Sequence, residues 1–374
     1  SSEKYNAVLT ADIDLGGKAW TPIGKSGYYT TYKGTFDGQG HTISGLNVTG
    51  SVAADYGLFG VVGSGGTVKN LTVCGEVSVA TNNSSYGIAG IVGRLQGGTV
   101  EKCINKATVS GGKNAPANVV QNAAGIVGYV ASGGSTIKEC ANYADITGSQ
   151  NIGGVVGYAY WGVAVSACYN RGNITATGSK AGGIVGYMND NAVKITNCYT
   201  TGTVTGTTSN AVVGKKSSGT ITDCYYTEGT DSNVPDGNKK TSVELQDPTM
   251  LELLGDAFTA DIADNPINDG YPVLAWQTTP HKVTLAINAG DGEVPEDLTV
   301  TVGGKVITKA ADGTYQTTLY VGNWTYTVSA FGYVTKAGVI AISNADGAIE
   351  RTVEPEKLPV VTVTFSDVDA ADIT

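Results

Sequence analysis

Side chains able to do chemistry are sparse in this chain, and their spacing says more than their number. Cys103, Cys140, Cys168, Cys198 and Cys224 each stand three residues after an aliphatic side chain, respectively Val100, Ile137, Val165, Ile195 and Ile221. Leu71 takes the same place after Val68, and Cys74 lies three residues beyond it. Six cysteines would ordinarily read as three disulfides. Five of them in one recurring position, interchangeable with Leu, read instead as small buried hydrophobes, a ladder of free thiols with no base to activate them. The two histidines, His41 and His281, are far apart in sequence, and there is no HExxH pair, GxSxG turn or phosphate loop. Acids within the central region, Glu76, Glu101, Glu139, Asp145, Asp190, Asp223 and Glu228, are thinly spread. A glycosidase needs two carboxyl groups roughly 5 to 10 Å apart. Glu101 and Glu139 stand at different offsets from their cysteines, so they share no column. Asp12, Asp14 and Asp37 could in principle ligate calcium. Asp12 and Asp14, however, alternate with Ile13 and Leu15 as on the wet face of a strand, and Asp37 beside Gly38 is turn chemistry. The expectation is a chain with no catalytic residues, no metal and no cofactor, a polysaccharide lyase or glycosidase being the enzymatic alternative.

These residues are positioned by a phrase that recurs six times: GLFGVVG ending at Gly63, GIAGIVG at Gly93, AAGIVG at Gly128, IGGVVG at Gly157, AGGIVG at Gly186 and NAVVG at Gly214. The end points lie 30, 35, 29, 29 and 28 residues apart, the period of a solenoid whose units bury their apolar faces on one another. Apolar runs of three or four Val and Ile residues, broken by Gly, Thr and Asn, favour strands and corners over helices. One unit therefore reads as one coil of a parallel β-helix, about 4.8 Å high. The three-residue step from Ile195 to Cys198 breaks the two-residue period of a straight strand, so a corner or bulge must lie between them. Val77, Val109, Ile146, Ile174 and Val204 follow six residues after the cysteine column, and this half of the unit accepts no insertion.

Three columns could carry binding. Ser64, Arg94, Tyr129, Tyr158, Tyr187 and Lys215 follow the final glycines, and their charged members place the column in solvent. Tyr129, Tyr158 and Tyr187, with Trp161 in the next turn, would form an exposed aromatic strip about 10 Å long, suited to sugar rings or a protein partner; alternatively the rings only stabilise adjacent strands. Tyr169, Tyr199 and Tyr225 read as packing, and Asn105, Asn142 and Asn170 as a corner ladder. Insertions at 78–86 and 110–122 should protrude side by side and offer a second patch, with Tyr86, Asn114 and Asn118 as candidate contacts.

The stretch GGIVGYMNDNAVKITNCYTTGTVTG, beginning at Gly182, resembles the GLUG repeat of bacterial surface proteins. LTADIDLGGKAW followed by GTFDGQGHTISGLNV resembles the segment that commonly precedes such repeats, including in IgA-protease-like and adhesin-like proteins, and GYPVLAWQ resembles their usual terminator. The resemblance implies an exported, non-catalytic surface protein that binds or presents, with a glycan or extracellular protein as partner; a purely structural stalk is the rival. TYQTTLYVGNWTYTVSAFGYVTKAGVIAI is similar to carboxypeptidase-regulatory-like or PEGA-type immunoglobulin-like modules, which implies a spacer.

The 374 residues suffice for two or three domains, and a net charge of −10 with no basic stripe argues against nucleic acid. No apolar run approaches the roughly 18 residues of a membrane span. The organisation expected is all-β: a parallel β-helix over 1–280 with an N-terminal cover and a helical or looped C-terminal cap, an antiparallel immunoglobulin-like sandwich over 281–356, and the opening strands of a second such module over 357–374. Trp20 and Phe36 are expected to plug the N-terminal end. A helix from about Thr249 to Phe258, then Tyr271, Val273, Leu274 and Trp276, should close the C-terminal end. The opening SSEKY reads as a trimmed fragment, and a monomer is expected.

Overall fold

In the computed structural model the chain forms two compact units, residues 1–279 and 280–374. The structure describes all residues except 1–4, 26–30, 53, 81–84, 112–119, 228–236, 262–265, 279–280, 290–293, 320–321, 343–347 and 358–374. The stretch read as the start of a second module therefore lies almost wholly outside the described residues.

The first unit is a parallel β-solenoid of about seven turns. Parallel pairing stacks Thr35, Thr67, Thr99, Thr136, Ala164, Lys194 and Thr220 in one line. Beside it run the aliphatic column from Val68 to Ile221 and the column Val77, Val109, Ile146, Ile174 and Val204. One face is a separate six-stranded sheet, with strands Phe59–Val62, Val92–Gln96, Val127–Ser132, Val156–Ala159, Val185–Met188 and Val213–Lys216. Val, Ile and Leu from all faces, with the five column cysteines, fill one continuous core.

The corner demanded by the three-residue step is a single left-handed residue. Asn70, Lys102, Glu139, Ala167, Asn197 and Asp223 have φ between 50° and 53°. Each directly precedes the Leu or Cys of the column, turning the chain so that two inward residues can be three apart. The cysteines are free and buried, Cys74 half-buried.

Three expectations for the N-terminal part are corrected. In the first repeat Gly60, not Gly63, aligns with Gly93, because Phe59 pairs with Val92 and Val61 with Arg94; the phrase GLFGVVG holds three glycines at intervals of three, Gly57, Gly60 and Gly63, so its last two fit the same template. Ser64 is thus not in the Arg94 column. Residues 7–23 form an irregular first coil, in keeping with coils read from residue 1 onward, with Ala7–Val8 paired to Phe36 and Asp37, and Ile13–Asp14 to Ile43 and Ser44. Phe36 is accordingly an ordinary core member, stacked between Ala7 and Val68, and plugs no end; Trp20, in the first coil, packs partly buried against the core with Nε1 donating to the Leu58 carbonyl.

The C-terminal segment of this unit is also placed differently. It contains two helices, α1 (Ser242–Gln246), begun by a Thr241/Glu244 capping box, and α2 (Thr249–Leu254), ended at Gly255 with φ 82°. Phe258 lies beyond α2 and pairs with Leu274 in a two-stranded ribbon. Helices and ribbon cover the side of the coils: Leu245, Met250, Leu254, Phe258 and Leu274 share a core with Tyr169, Tyr199 and Tyr225. Trp276 reaches back to the Glu139 carbonyl, three coils before Tyr225. The apolar tyrosine column drew the segment sideways.

The second unit has a three-stranded sheet, ordered Tyr315–Leu319, His281–Ile287, Ile349–Val353, and a four-stranded one, ordered Lys305–Ile307, Thr299–Val302, Gly322–Ser329, Lys336–Ile342. Val283, Leu285, Val300, Val302, Val328 and Ile340 from the two sheets form one core. The seven expected strands are present, but His281–Ile287 and Ile349–Val353 run parallel, which departs from an all-antiparallel arrangement.

Candidate functional site

The six-stranded face carries the aromatic strip. Its register places Arg94, Tyr129, Tyr158, Tyr187 and Lys215 in one column, one residue per coil. Coil height brings neighbouring rings to stacking distance: Tyr129 and Tyr158 have centroids 5.5 Å apart, and Tyr158 and Tyr187 are 4.8 Å apart and nearly parallel, at 5°. Cations close both ends. The Arg94 guanidinium lies 5.4 Å from the Tyr129 centroid, and the Lys180 and Lys215 ammonium groups lie 4.4 and 5.6 Å from that of Tyr187. The three tyrosines are therefore half-buried rather than exposed as expected, and much of each ring face is taken by a neighbouring ring or cation. Burial raises the phenol pKa of Tyr129 and Tyr158, so both remain neutral donors.

Tyr160, which follows in the turn, leans on both Tyr129 and Tyr158, at 6.1 and 5.5 Å. Trp161 meets Tyr160 edge-on at 5.3 Å and is 48% exposed. This indole is the most exposed aromatic side chain of the strip among the described residues, and it rests on a neighbouring ring. Tyr86 joins at the other end, because Arg94 lies over its ring as well, at 5.2 Å. The structure thus brings Tyr86, Tyr129, Tyr158, Trp161 and Tyr187 to one face. Asn114 and Asn118 lie outside the described residues.

Arg94 is held by a carboxylate that the sequence reading missed. Asp55 Oδ1 accepts from Arg94 Nε at 3.0 Å and from the Gly87 amide at 2.9 Å, and the Arg94 guanidinium also donates to the Ser85 carbonyl. Burial pushes the Asp55 carboxyl up to about 6, against the opposing pull of Arg94. The signal for this pair was weak: the two lie 39 residues apart, in different coils, and an Asp before Tyr-Gly reads locally as a turn. A cavity of about 500 Å³ opens beside Asp55, lined in part by Trp20, Pro22, Tyr56 and Tyr86.

The other columns are structural in their contacts. Asn105, Asn142 and Asn170 are fully buried and donate in series, Asn105 to Asn142 at 2.8 Å, Asn142 to Asn170 at 2.7 Å and Asn170 to Thr200 at 3.1 Å. Each amide also donates to the carbonyl two residues on. A Cβ at Gly125 or Gly154 would overlap the Asn142 or Asn170 amide, which is why the phrase keeps a glycine there. Tyr169 and Tyr199 are sealed under the C-terminal segment, with hydroxyls bonded to Gln277 and to Asn268 and Pro272. Burial raises the thiols of Cys140, Cys168 and Cys198 well above their ordinary value, which suppresses any thiolate. Asp12 accepts from the Thr42 amide and faces His41, Asp14 accepts from the Gly16 amide, and Asp37 pairs with Lys69 and Asn70. Among the described residues no group of three or more His, Cys, Asp or Glu could hold a metal ion, and no helix is long and apolar enough to cross a membrane.

No protein-family model matches the chain. Over 191 residues, 49% of its length, it is 36% identical to halomucin of Haloquadratum walsbyi, of which it spans 2%. Over 89 residues, 24% of its length, it is 35% identical to a candidate Gly-rich membrane protein of Evansella cellulosilytica, of which it spans 10%. A crystal structure of a candidate immunoglobulin A1 protease from Bacteroides ovatus is similar over 74% of this chain and 88% of that one, with a TM-score of 0.55 and 23% identity. That likeness shows the fold alone.

Proposed function

We propose that this chain is a non-catalytic binding region of an extracellular, surface-located protein, and that it engages a glycan or an extracellular protein along the strip from Tyr86 to Tyr187. The observation carrying this reading is Trp161, an exposed indole seated on Tyr160 above a ladder of rings that stands on a rigid sheet. Exposed aromatics of this kind give large contact area at small entropic cost. Similarity to halomucin and to a Gly-rich membrane protein supports a surface location, and the resemblance to GLUG-type repeats points the same way. The second unit then serves as an immunoglobulin-like spacer. The non-catalytic reading is supported by Asp55, the one buried carboxylate among the described residues, being tied to Arg94 and Gly87 with no second buried acid beside it there.

A structural stalk is the second reading, favoured by the 4.8 Å stacking of Tyr158 on Tyr187, which spends ring faces on neighbours. Screening the full chain on a glycan array and against extracellular matrix proteins separates the two. A binder retains a ligand, and Trp161→Ala weakens it roughly tenfold, the equivalent of about 1.4 kcal/mol, with an unchanged circular dichroism spectrum. A stalk retains none. Release of new reducing ends from any polysaccharide would replace both with an enzyme.

A further inference from the structure

One end of the strip opens into a cleft of about 490 Å³ lined by Ser179, Lys180, Thr208, Asn210, Gly214, Lys215 and Lys216. Its three lysines are unusual for this chain, which carries 23 basic against 33 acidic residues. Five cations elsewhere on the solenoid are paired with carboxylates, Lys69 with Asp37, Lys102 with Glu139, Lys138 with Glu101, Arg94 with Asp55 and Arg171 with Asp269, and what sets the cleft apart is that three lysines line one concavity. Lys180, Lys215 and Lys216 pair with no carboxylate among the described residues.

Two of these lysines are held in place by an aromatic ring. Tyr187 lies under both Lys180 and Lys215, and its hydroxyl is fixed by Asn189 at 2.9 Å and Ser217 at 3.0 Å. Lys180 also sits in a left-handed backbone with φ 67°, a conformation a lysine adopts at a cost. Desolvation and then the neighbouring Lys215 lower the Lys180 ammonium pKa. Like charges on adjacent coils are thus held close without a counter-charge, an arrangement that a bound anion relieves.

We propose that this cleft is an anion subsite that takes the carboxylate or sulfate group of an acidic polysaccharide whose chain lies along the tyrosine strip. The inference rests on the binding reading above and names the chemical class of its ligand. Ser179 and Thr208 supply hydroxyl donors beside the lysines. A nucleic-acid strand is disfavoured, because it carries charge at every phosphate, whereas the lysine cluster lies at one end of the strip and the net charge of −10 repels the remainder. A polymer with charges spaced among neutral rings fits this distribution.

The test measures binding of the full chain to chondroitin sulfate, polygalacturonate, dextran, a single-stranded oligonucleotide and sodium sulfate, at low and moderate salt. The variants are K180Q/K215Q/K216Q and, for an equal change in net charge in the second unit, K282Q/K305Q/K309Q. The expected result is preference for one or both acidic polysaccharides over dextran, weakened about tenfold by the first variant and less than twofold by the second, and weakened by salt. Chondroitin sulfate against polygalacturonate tells sulfate from carboxylate. Equal binding of dextran and the acidic polymers, or equal effects of the two variants, overturns the subsite and leaves the binding reading standing. Tighter binding of the oligonucleotide or of sulfate alone overturns the assignment to a polysaccharide. Failure to bind any polymer overturns the subsite, and the binding reading falls with it only if the matrix proteins are not bound either.

Discussion

At the scale of single residues, the left-handed corner shows how the coil is made. Lys102, Glu139 and Ala167 occupy φ near 50° without being glycine or asparagine, a strain of about 1 kcal/mol each, tolerated because Cys103, Cys140 and Cys168 beside them are locked in the core. The three-residue step made a corner legible in the sequence, but its conformation was not, since nothing about Lys or Glu announces αL. Asp55 is the clearest case of a residue whose role depends on tertiary placement alone. Its folded carboxyl titrates near 6, above the ordinary 3.8, so its protonation favours the folded state: the contribution is full below about pH 4 and is lost as pH rises through 6. Lowering pH from 7 to 5 should therefore stabilise the solenoid by about 1 kcal/mol through this group, read as a rise in the thermal midpoint. Asp37 works in the opposite sense: burial raises its carboxyl, but hydrogen bonds from Asn70, the Gln39 amide and Lys69 outweigh this and leave it below 3.8, so its loss sets in only at more acid pH. The rise should disappear in Asp55→Asn; its persistence there would assign it to another group.

Elements were legible where the repeat tolerates no insertion. The columns from Val68 to Ile221 and from Val77 to Val204 fall in the expected register, because a slip would turn core residues outward. The first unit misled because two glycines in GLFGVVG fit one template. The C-terminal helices misled for a different reason: their apolar faces were readable, but not which surface would receive them. Tyr169 and Tyr199, buried and stacked at 5.1 Å with an interplanar angle of 6°, are that surface. Leu274 is fully buried in the layer covering them. Leu274→Ala should cost roughly 2–5 kcal/mol of local stability, and hydrogen exchange should show α2 and the Phe258–Thr259 ribbon losing protection while the strands at Val165 and Ile195 keep theirs. Equal loss in both would mean that the lateral layer and the coils open as one unit.

At the scale of the whole molecule, the strip, the lysine cleft and the buried ladders all depend on one geometric fact, that residues about 30 apart in sequence become neighbours across a coil. The tyrosines stack because each coil rises by one strand spacing, and the same spacing brings Lys180 and Lys215 over one ring. The strip was legible as a column but not as a set of occupied faces: ring orientation depends on the spacing of coils and on the cations at either end, neither of which a single repeat displays. Pulsed electron resonance between nitroxides at Thr35→Cys and Thr220→Cys tests the geometry directly. These positions are 185 residues apart in sequence but six pairing steps apart along one line of the sheet. Six steps of about 4.8 Å give a narrow distance distribution near 29 Å, and a broad distribution, or one centred beyond about 45 Å, would contradict the stacked wall.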